Sequence, residues 1–275
     1  MRTGLHDITD EEYFADKALN NSYLWKLISQ TPAHAQIPSA KTEAMNLGSA
    51  THLAVLQPEL ANKQIIQGPE TRRGKKWTDL LEQAKEENKI LLTEQDYNTV
   101  SQMRDSVWRD PAIAKELNRP GTQYEMAAFW EENGVTCKIK VDAARPRPKN
   151  TIALIDLKTT NDASPKNFSQ SVAKYGYHQQ DAFYSHGWKQ ATGSEVESFL
   201  FLVVEKTPPF ACAIYELDQI AKAEGWASAQ KAMQIHKKCS ENNNFYAYPA
   251  EKMLLSLPSW AFRHTNPRSI NLTGE

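Results

Sequence analysis

Gly134-Val-Thr-Cys-Lys-Ile-Lys-Val-Asp142, a basic proline-rich turn, and Thr151-Ile-Ala-Leu-Ile-Asp156-Leu-Lys158-Thr-Thr160 together decide the fold. Each half alternates or runs apolar over strand length, and Asn133-Gly134 just ahead is a hairpin signal. Side chains alternate faces along a strand, so Asp156 and Lys158 point one way while Ile155 and Leu157 point the other. Antiparallel pairing of the halves then brings Asp142 beside Asp156 and Lys158. Two carboxylates and a lysine on one sheet face suit a site that holds a divalent cation and polarises a water near a phosphate.

Working outward, the strands expected are 123–131, 135–142 and 152–158 as a meander. A near-continuous apolar strand covered on both faces follows within Glu197–Lys206, and a return strand at Ala211–Leu217 after Pro208-Pro209. Helices are expected over 7–30 in two pieces, the first capped by Thr9 or Asp10 and the second by Asn21 or Ser22. Further helices run over 43–57 up to Pro58, Trp77–Asn88 and Thr93–Trp108, with a short piece to Leu117. The rest lie from Ser164-Pro165 to Val172, from Tyr177 to Ala191, and from an Asp218 cap to about Ser240. This order predicts an α/β (α+β) domain on a mixed central sheet of about five strands flanked by helices. Residues 1–275 form one domain in this reading, with residues 1–120 mainly helical and 121–275 the core.

The chain of 275 residues is 40% hydrophobic, enough for a sizeable core. Cys137, Cys212 and Cys239 are few, odd in number and far apart, which excludes a disulfide framework and a CxxC metal knuckle. The first residues lack an apolar signal core and no run approaches membrane-spanning length, so a cytoplasmic protein with no membrane partner is expected. The net charge of −1 does not advertise a polyanion-binding protein, but it is segregated. Five acids crowd residues 1–16, whereas Lys138, Lys140, Arg145, Arg147 and Lys149 surround Asp142. Basic surface around a carboxylate site is what a phosphodiester needs, although a solvated turn has the same composition. The glycine-interrupted run 68–77 with Arg72, Arg73, Lys75, Lys76 and Trp77 reads either as a loop that tracks a phosphate backbone or as a solvated linker.

Two helices could contribute to the site. Gly48 and His52 are four apart on one face of a helix rich in small residues, which lets that face approach another element closely. A lone histidine there is ordinarily a core residue and becomes a ligand only beside the carboxylates. Tyr177, Gln180 and Tyr184 form a polar-aromatic stripe, and glutamine is better explained by a cleft than by a core. Glu125 could reach the same end of the sheet, though an exposed strand glutamate is the default.

The ordered set His52, Glu125, Asp142, Asp156-Leu157-Lys158 and Gln180-x-x-x-Tyr184 resembles the PD-(D/E)xK nuclease superfamily in its RecB-like branch. Leu24-Trp-Lys-Leu-Ile-Ser-Gln-Thr-Pro-Ala-His34, the run Ile155–Ser164 and Leu257-Pro-Ser-Trp260 are similar to the nuclease domain of exonuclease VIII (RecE) and its phage relatives. One departure is Val141-Asp142 where the superfamily has Pro-Asp; proline is not a ligand.

The resemblance implies a restriction-endonuclease-like core and Mg²⁺ (or Mn²⁺) held by Asp142, Asp156 and the Leu157 carbonyl, with His52 and Glu125 completing one or two metal sites. Lys158 would orient or deprotonate the attacking water, and Gln180 and Tyr184 would place the DNA strand. Arg72, Arg73, Lys75, Lys76, Arg145 and Arg147 are the DNA-binding candidates. The implied activity is a 5′ to 3′ exonuclease on linear double-stranded DNA that leaves 3′ tails for strand annealing. With it come double-stranded DNA ends as substrate, a ring-like homo-oligomer, a single-strand annealing protein as partner and a phage or prophage origin. A structure-selective endonuclease and a catalytically inactive DNA-binding or assembly module share these residues. The absence of a flanking cysteine cluster disfavours an iron–sulfur relative.

Overall fold

The computed structural model describes residues 2–39, 42–258 and 261–262, so Trp260 of the Leu257–Trp260 motif lies outside the described residues. The chain runs β1 (Gly4–His6), α1 (Asp10–Ala15), α2 (Asn21–Ser29), α3 (Pro32–Ala35), α4 (Glu43–Leu56), α5 (Pro58–Gln64), β2 (Ile65–Gln67), α6 (Lys75–Glu86), β3 (Ile90–Leu92), α7 (Glu94–Arg109) and α8 (Pro111–Leu117). It continues through β4 (Gln123–Glu132), β5 (Val135–Arg147), β6 (Thr151–Thr160), α9 (Pro165–Tyr175), α10 (Tyr177–Thr192), β7 (Glu195–Glu205), β8 (Cys212–Tyr215) and α11 (Gln219–Glu241).

The helices begin where local chemistry satisfies their first N–H groups. Thr9 and Glu12 form a reciprocal capping box on α1, Thr93 caps α7, Ser164 with Pro165 opens α9, and Asp218 caps α11. For α2 the cap is Asn20, one residue before the two expected, because its side chain reaches the Tyr23 N–H at 2.9 Å. Gly176 takes a left-handed conformation at φ 70°, which ends α9 and lets α10 start in a new direction.

The principal sheet has six strands among the described residues, not five, in the order β1-β4-β5-β6-β7-β8. The added strand is β1, three residues paired antiparallel to β4 at the edge. All neighbours are antiparallel except β6 and β7, which run parallel with α9 and α10 crossing between them. A second, two-stranded parallel sheet joins β2 and β3. This is the restriction-endonuclease-like arrangement expected, a mixed sheet flanked by helices.

Both faces of the sheet are covered. On one, Ile139, Leu154, Phe199 and Phe201 pack with Leu24 and Leu27 of α2, Phe168 of α9, Phe183 and Trp188 of α10, and Ala229 and Met233 of α11. On the other, Ala143, Ile155, Leu157, Leu202 and Val204 pack with Val55 of α4, Met103 and Val107 of α7, and Ile113 and Leu117 of α8. The mainly helical stretch before residue 120 therefore supplies much of one layer of the sandwich and does not stand apart from the core.

The short α3, α5, β2 and β3 were not expected, and two basic segments depart from expectation. The basic run after Asp142 is not a turn: β5 continues to Arg147, and Ala143 through Arg147 pair with Ile155 through Thr151. The run 68–77 is a loop only to Gly74, since Lys75, Lys76 and Trp77 form the first turn of α6.

Candidate metal and catalytic site

The candidate site lies where β5 and β6 part. Their ladder runs from Arg147–Thr151 to Ala143–Ile155 and stops there, so Asp142 has no backbone partner on β6. Instead Asp142 Oδ2 accepts the Leu157 N–H at 2.7 Å, a side chain filling the place of a strand carbonyl. At that gap α4 comes close enough that a Cβ on Gly48 would stand 3.9 Å from Thr159 Oγ1. The small residues of α4 thus bring His52 to the acids, and its Nδ1 lies 3.3 Å from Asp142 Oδ2.

Glu125 arrives from β4. It lies across from Asp142 between the Tyr124–Ala143 and Met126–Val141 pairs, with φ 54°, a conformation few non-glycine residues adopt. Ligand atoms of His52, Glu125 and Asp142 all lie within 4.8 Å of one another. One imidazole and two carboxylates is a donor set for a hard divalent cation with room left for water. Lys140, two residues before Asp142, stands 3.4 Å from Glu125 Oε2 and also pairs with Asp10. It was not among the expected site residues, although strand alternation placed it on the face of Asp142.

Asp156 forms the second half of the site and is not one of that triad. Its Oδ1 accepts the Gln180 amide at 2.5 Å. Lys158 Nζ lies 2.7 Å from the buried Oδ2 as an ion pair. An anionic oxygen beside the triad fits a cation reaching towards Asp156. The ammonium of Lys158 also sits 4.6 Å from the centre of the Tyr177 ring. Of the expected Leu157 contribution, it is the N–H that is engaged, with Asp142.

The charges shift one another strongly. Burial works against a charged His52, but Asp142, Glu125 and Asp156 outweigh it and raise its pKa to about 9. Burial, then the Asp142 charge, push Glu125 up to about 7 against the pull of Lys140 and His52. Asp142 is held below the usual carboxylate range, burial being overcome by His52, Lys158 and the Leu157 N–H. Asp156 is raised, mainly by burial, and Lys158 is raised despite burial because Asp156 holds its proton. Crowded buried carboxylates, two of them with raised pKa values, are what a divalent ion relieves.

Tyr184 is half-buried against Phe199, and burial keeps its phenol from ionising despite a contact to Gln180. It therefore stands beside Gln180, whose amide reaches Asp156. Among the basic candidates, Arg145 is fully buried and paired with Glu116, so it is an interior residue and not a backbone contact. Arg147 lies near Glu116 and Ser198, and Arg72 pairs with Glu43 and Asp96. Arg73, Lys75 and Lys76 are exposed.

No described helix is long and apolar enough to cross a membrane. Among curated protein sequences none matches. The chain is similar in fold to the solved structure of a candidate exonuclease from Eubacterium rectale, with TM-score 0.59 at 14% identity over 90% of this chain and 97% of that one. Weaker likenesses are those to SSO0001 (TM-score 0.30, 14% identity, 69% and 86% covered) and to VC1899 from Vibrio cholerae (TM-score 0.21, 10% identity, 82% and 57% covered). The family model described as a PDDEXK-like domain of unknown function (DUF3799) matches residues 25–253, and the chain belongs to that family.

Proposed function

We propose that the protein is a metal-dependent deoxyribonuclease that hydrolyses phosphodiester bonds. The observation that carries this reading is the convergence of His52, Glu125 and Asp142 within 4.8 Å, beside the Asp156–Lys158 pair at 2.7 Å. A divalent cation, Mg²⁺ or Mn²⁺, held by the triad and reached by Asp156 would neutralise a non-bridging phosphate oxygen and acidify a water. The chain's own groups do the rest. The Leu157 N–H and His52 fix Asp142, and Gln180 fixes Asp156. Lys158 presents its ammonium to the charge that builds on the phosphate oxygens as water attacks.

In this reading the enzyme is an exonuclease on linear double-stranded DNA, working 5′ to 3′ and leaving 3′ tails for strand annealing. It would act as a ring-like homo-oligomer with a single-strand annealing protein, in a bacterial cytoplasm and encoded by a phage or prophage. Arg73, Lys75 and Lys76 are the exposed candidates for the DNA backbone.

The test is incubation with end-labelled linear and covalently closed circular duplex DNA in Mg²⁺, alongside Asp156→Asn and Lys158→Ala. Loss of linear DNA alone, abolished in both variants, is expected. Cutting of circles would assign an endonuclease, and equal results for all three proteins would remove catalysis.

A further inference from the structure

A cavity of about 340 Å³ opens beside Lys158, between the end of β6 and the outer side of α9. Its lining includes Lys158, Lys174, Lys206, Tyr175, Tyr177 and Gln170. Such a volume is at the small end of ligand pockets, roughly 300–1,000 Å³, and takes a single nucleotide but not a duplex.

The chemistry of the walls is uneven. Asp162 is the acid among the lining residues, and it is already occupied: its Oδ1 accepts the Ser164 N–H at 2.8 Å and its Oδ2 the Asn167 amide. Lys158 belongs to Asp156, which leaves Lys174 and Lys206 as the excess positive charge. Lys206 is held at the rim by its backbone N–H, 2.9 Å from the Thr160 carbonyl, and Lys174 is exposed.

Beside Lys174 stands an aromatic ladder. Tyr175 is 50% exposed, with Lys174 Nζ 5.2 Å from the centre of its ring. It lies 5.7 Å from the Tyr177 ring at 33°, and Tyr177 in turn lies 5.8 Å from Phe201 in a stacked arrangement. A half-exposed tyrosine backed by a second ring, with one ammonium beside it and another in the same cavity lining, is a stacking platform with cations for phosphate contacts. That is how proteins hold single-stranded nucleic acid without reading its sequence.

We propose that this cavity is a subsite for one unpaired nucleotide of the strand being cleaved. Tyr175 stacks on its base, and Lys174 and Lys206 meet the flanking phosphates. The proposal rests on the nuclease reading for the substrate's identity. It adds that the strand is separated from its complement within a nucleotide or so of Lys158, so the enzyme holds a frayed end and not a closed duplex.

The test is a fluorescence-anisotropy titration of labelled oligothymidylate against the full-length protein in EDTA, where no cleavage occurs. Wild type is compared with Tyr175→Ala, Tyr175→Phe and the double variant Lys174→Ala/Lys206→Ala. Tyr175→Ala is expected to weaken binding about tenfold, the size of one lost base stack, while Tyr175→Phe keeps wild-type affinity. The double lysine variant should lower the salt slope by about 1.4, as two single-strand phosphate contacts require. Because Tyr175 and Lys174 are exposed, circular dichroism should show all variants folded.

Wild-type affinity in Tyr175→Ala would overturn the proposal, as would failure of the wild type to bind the oligonucleotide while degrading duplex DNA. The nuclease reading would survive either result. Tyr175-dependent binding by a protein that cleaves nothing in Mg²⁺ or Mn²⁺ would sink the nuclease reading and leave the subsite standing.

Discussion

Glu125 faces Asp142 across the β4–β5 ladder at the rung where both strands turn over. Met126 and Val141 pack on the side of α2, α10 and α11, whereas Tyr124 and Ala143, each two residues away along its strand, pack on the side of α4, α7 and α8. Strict alternation would keep 124 with 126 and 141 with 143. The left-handed backbone of Glu125, φ 54°, accompanies this reversal. Two acids at one twisted rung are thereby offered to a histidine from the opposite layer.

A left-handed non-glycine residue costs about 1–2 kcal/mol. Glycine in a strand gives back roughly 0.5–1 kcal/mol of that relief through unfolded-state entropy. Glu125→Gly is therefore expected to fold with near wild-type stability while losing a metal ligand. In wild type, a cation at about a hundred times its dissociation constant should add about 2.7 kcal/mol of stability, removed by EDTA. Thermal melts with and without Mn²⁺ check this, and a Glu125→Gly protein that melts far below wild type in EDTA would make Glu125 structural.

Gln180 gives a second prediction. Its amide donates to Asp156 Oδ1, and both side chains are buried. Gln180→Leu keeps the volume and leaves that oxygen without a donor, which should cost about 1–3 kcal/mol. The misoriented carboxylate should also lower cleavage by about 10–100-fold, the usual loss when a partner that orients a ligand is removed. Denaturant melts and initial rates on linear DNA read the two effects, and an unchanged rate would confine Gln180 to the core.

Much of this was legible in the residues. Alternation alone put Asp156 and Lys158 together, and the helical spacing of Gly48 and His52 foretold the close approach of α4. The Asn133-Gly134 turn, with both residues at positive φ, made the hairpin. The reversal at Glu125 was not legible, because no apolar pattern marks a left-handed glutamate.

The length of β5 was hidden for a different reason. Pro146 reads as a turn, yet the β4 ladder ends at Ala144, so beyond it β5 pairs on the β6 side alone and a proline N–H is not missed. That extension carries Arg145 inward to Glu116, a partner from α8 that sequence distance conceals.

Arg145 gives a third prediction from that burial. Removing it leaves Glu116 with Arg147, 3.9 Å away, as its remaining ion-pair partner, so Arg145→Ala should destabilise by about 3 kcal/mol, while apolar Arg145→Met with Glu116→Leu should recover most of the loss. The salt dependence of duplex binding should not change in the double variant. Arg73→Ala, at an exposed site, is expected to do the opposite: stability unchanged and the salt slope reduced by about 0.9 if Arg73 meets a phosphate. A reduced slope in the Arg145 double variant would return that residue to the DNA contacts.

Asp181 supplies a pH dependence through a group outside the His52–Glu125–Asp142 triad. It is buried on α10, hydrogen-bonded by the Ser185 hydroxyl at 3.3 Å, and its Oδ2 has no partner among the described residues. Burial raises its pKa to about 7, offset in part by Lys222 and Ser185 and reinforced by Glu216 and Asp156. In the unfolded chain the carboxyl ionises near 3.9, so between about pH 4 and 7 the folded state holds a proton that the unfolded state has lost. Stability therefore falls as pH rises through that window, and the penalty is complete above it. Asp181→Asn keeps the shape without the charge. Its stability relative to wild type should grow by a few kcal/mol from pH 4 to pH 8, an upper bound set by about 1.4 kcal/mol per pH unit. Denaturant unfolding of both proteins across that range measures the difference, and parallel curves would mean that Asp181 ionises in the fold as it does in the unfolded chain.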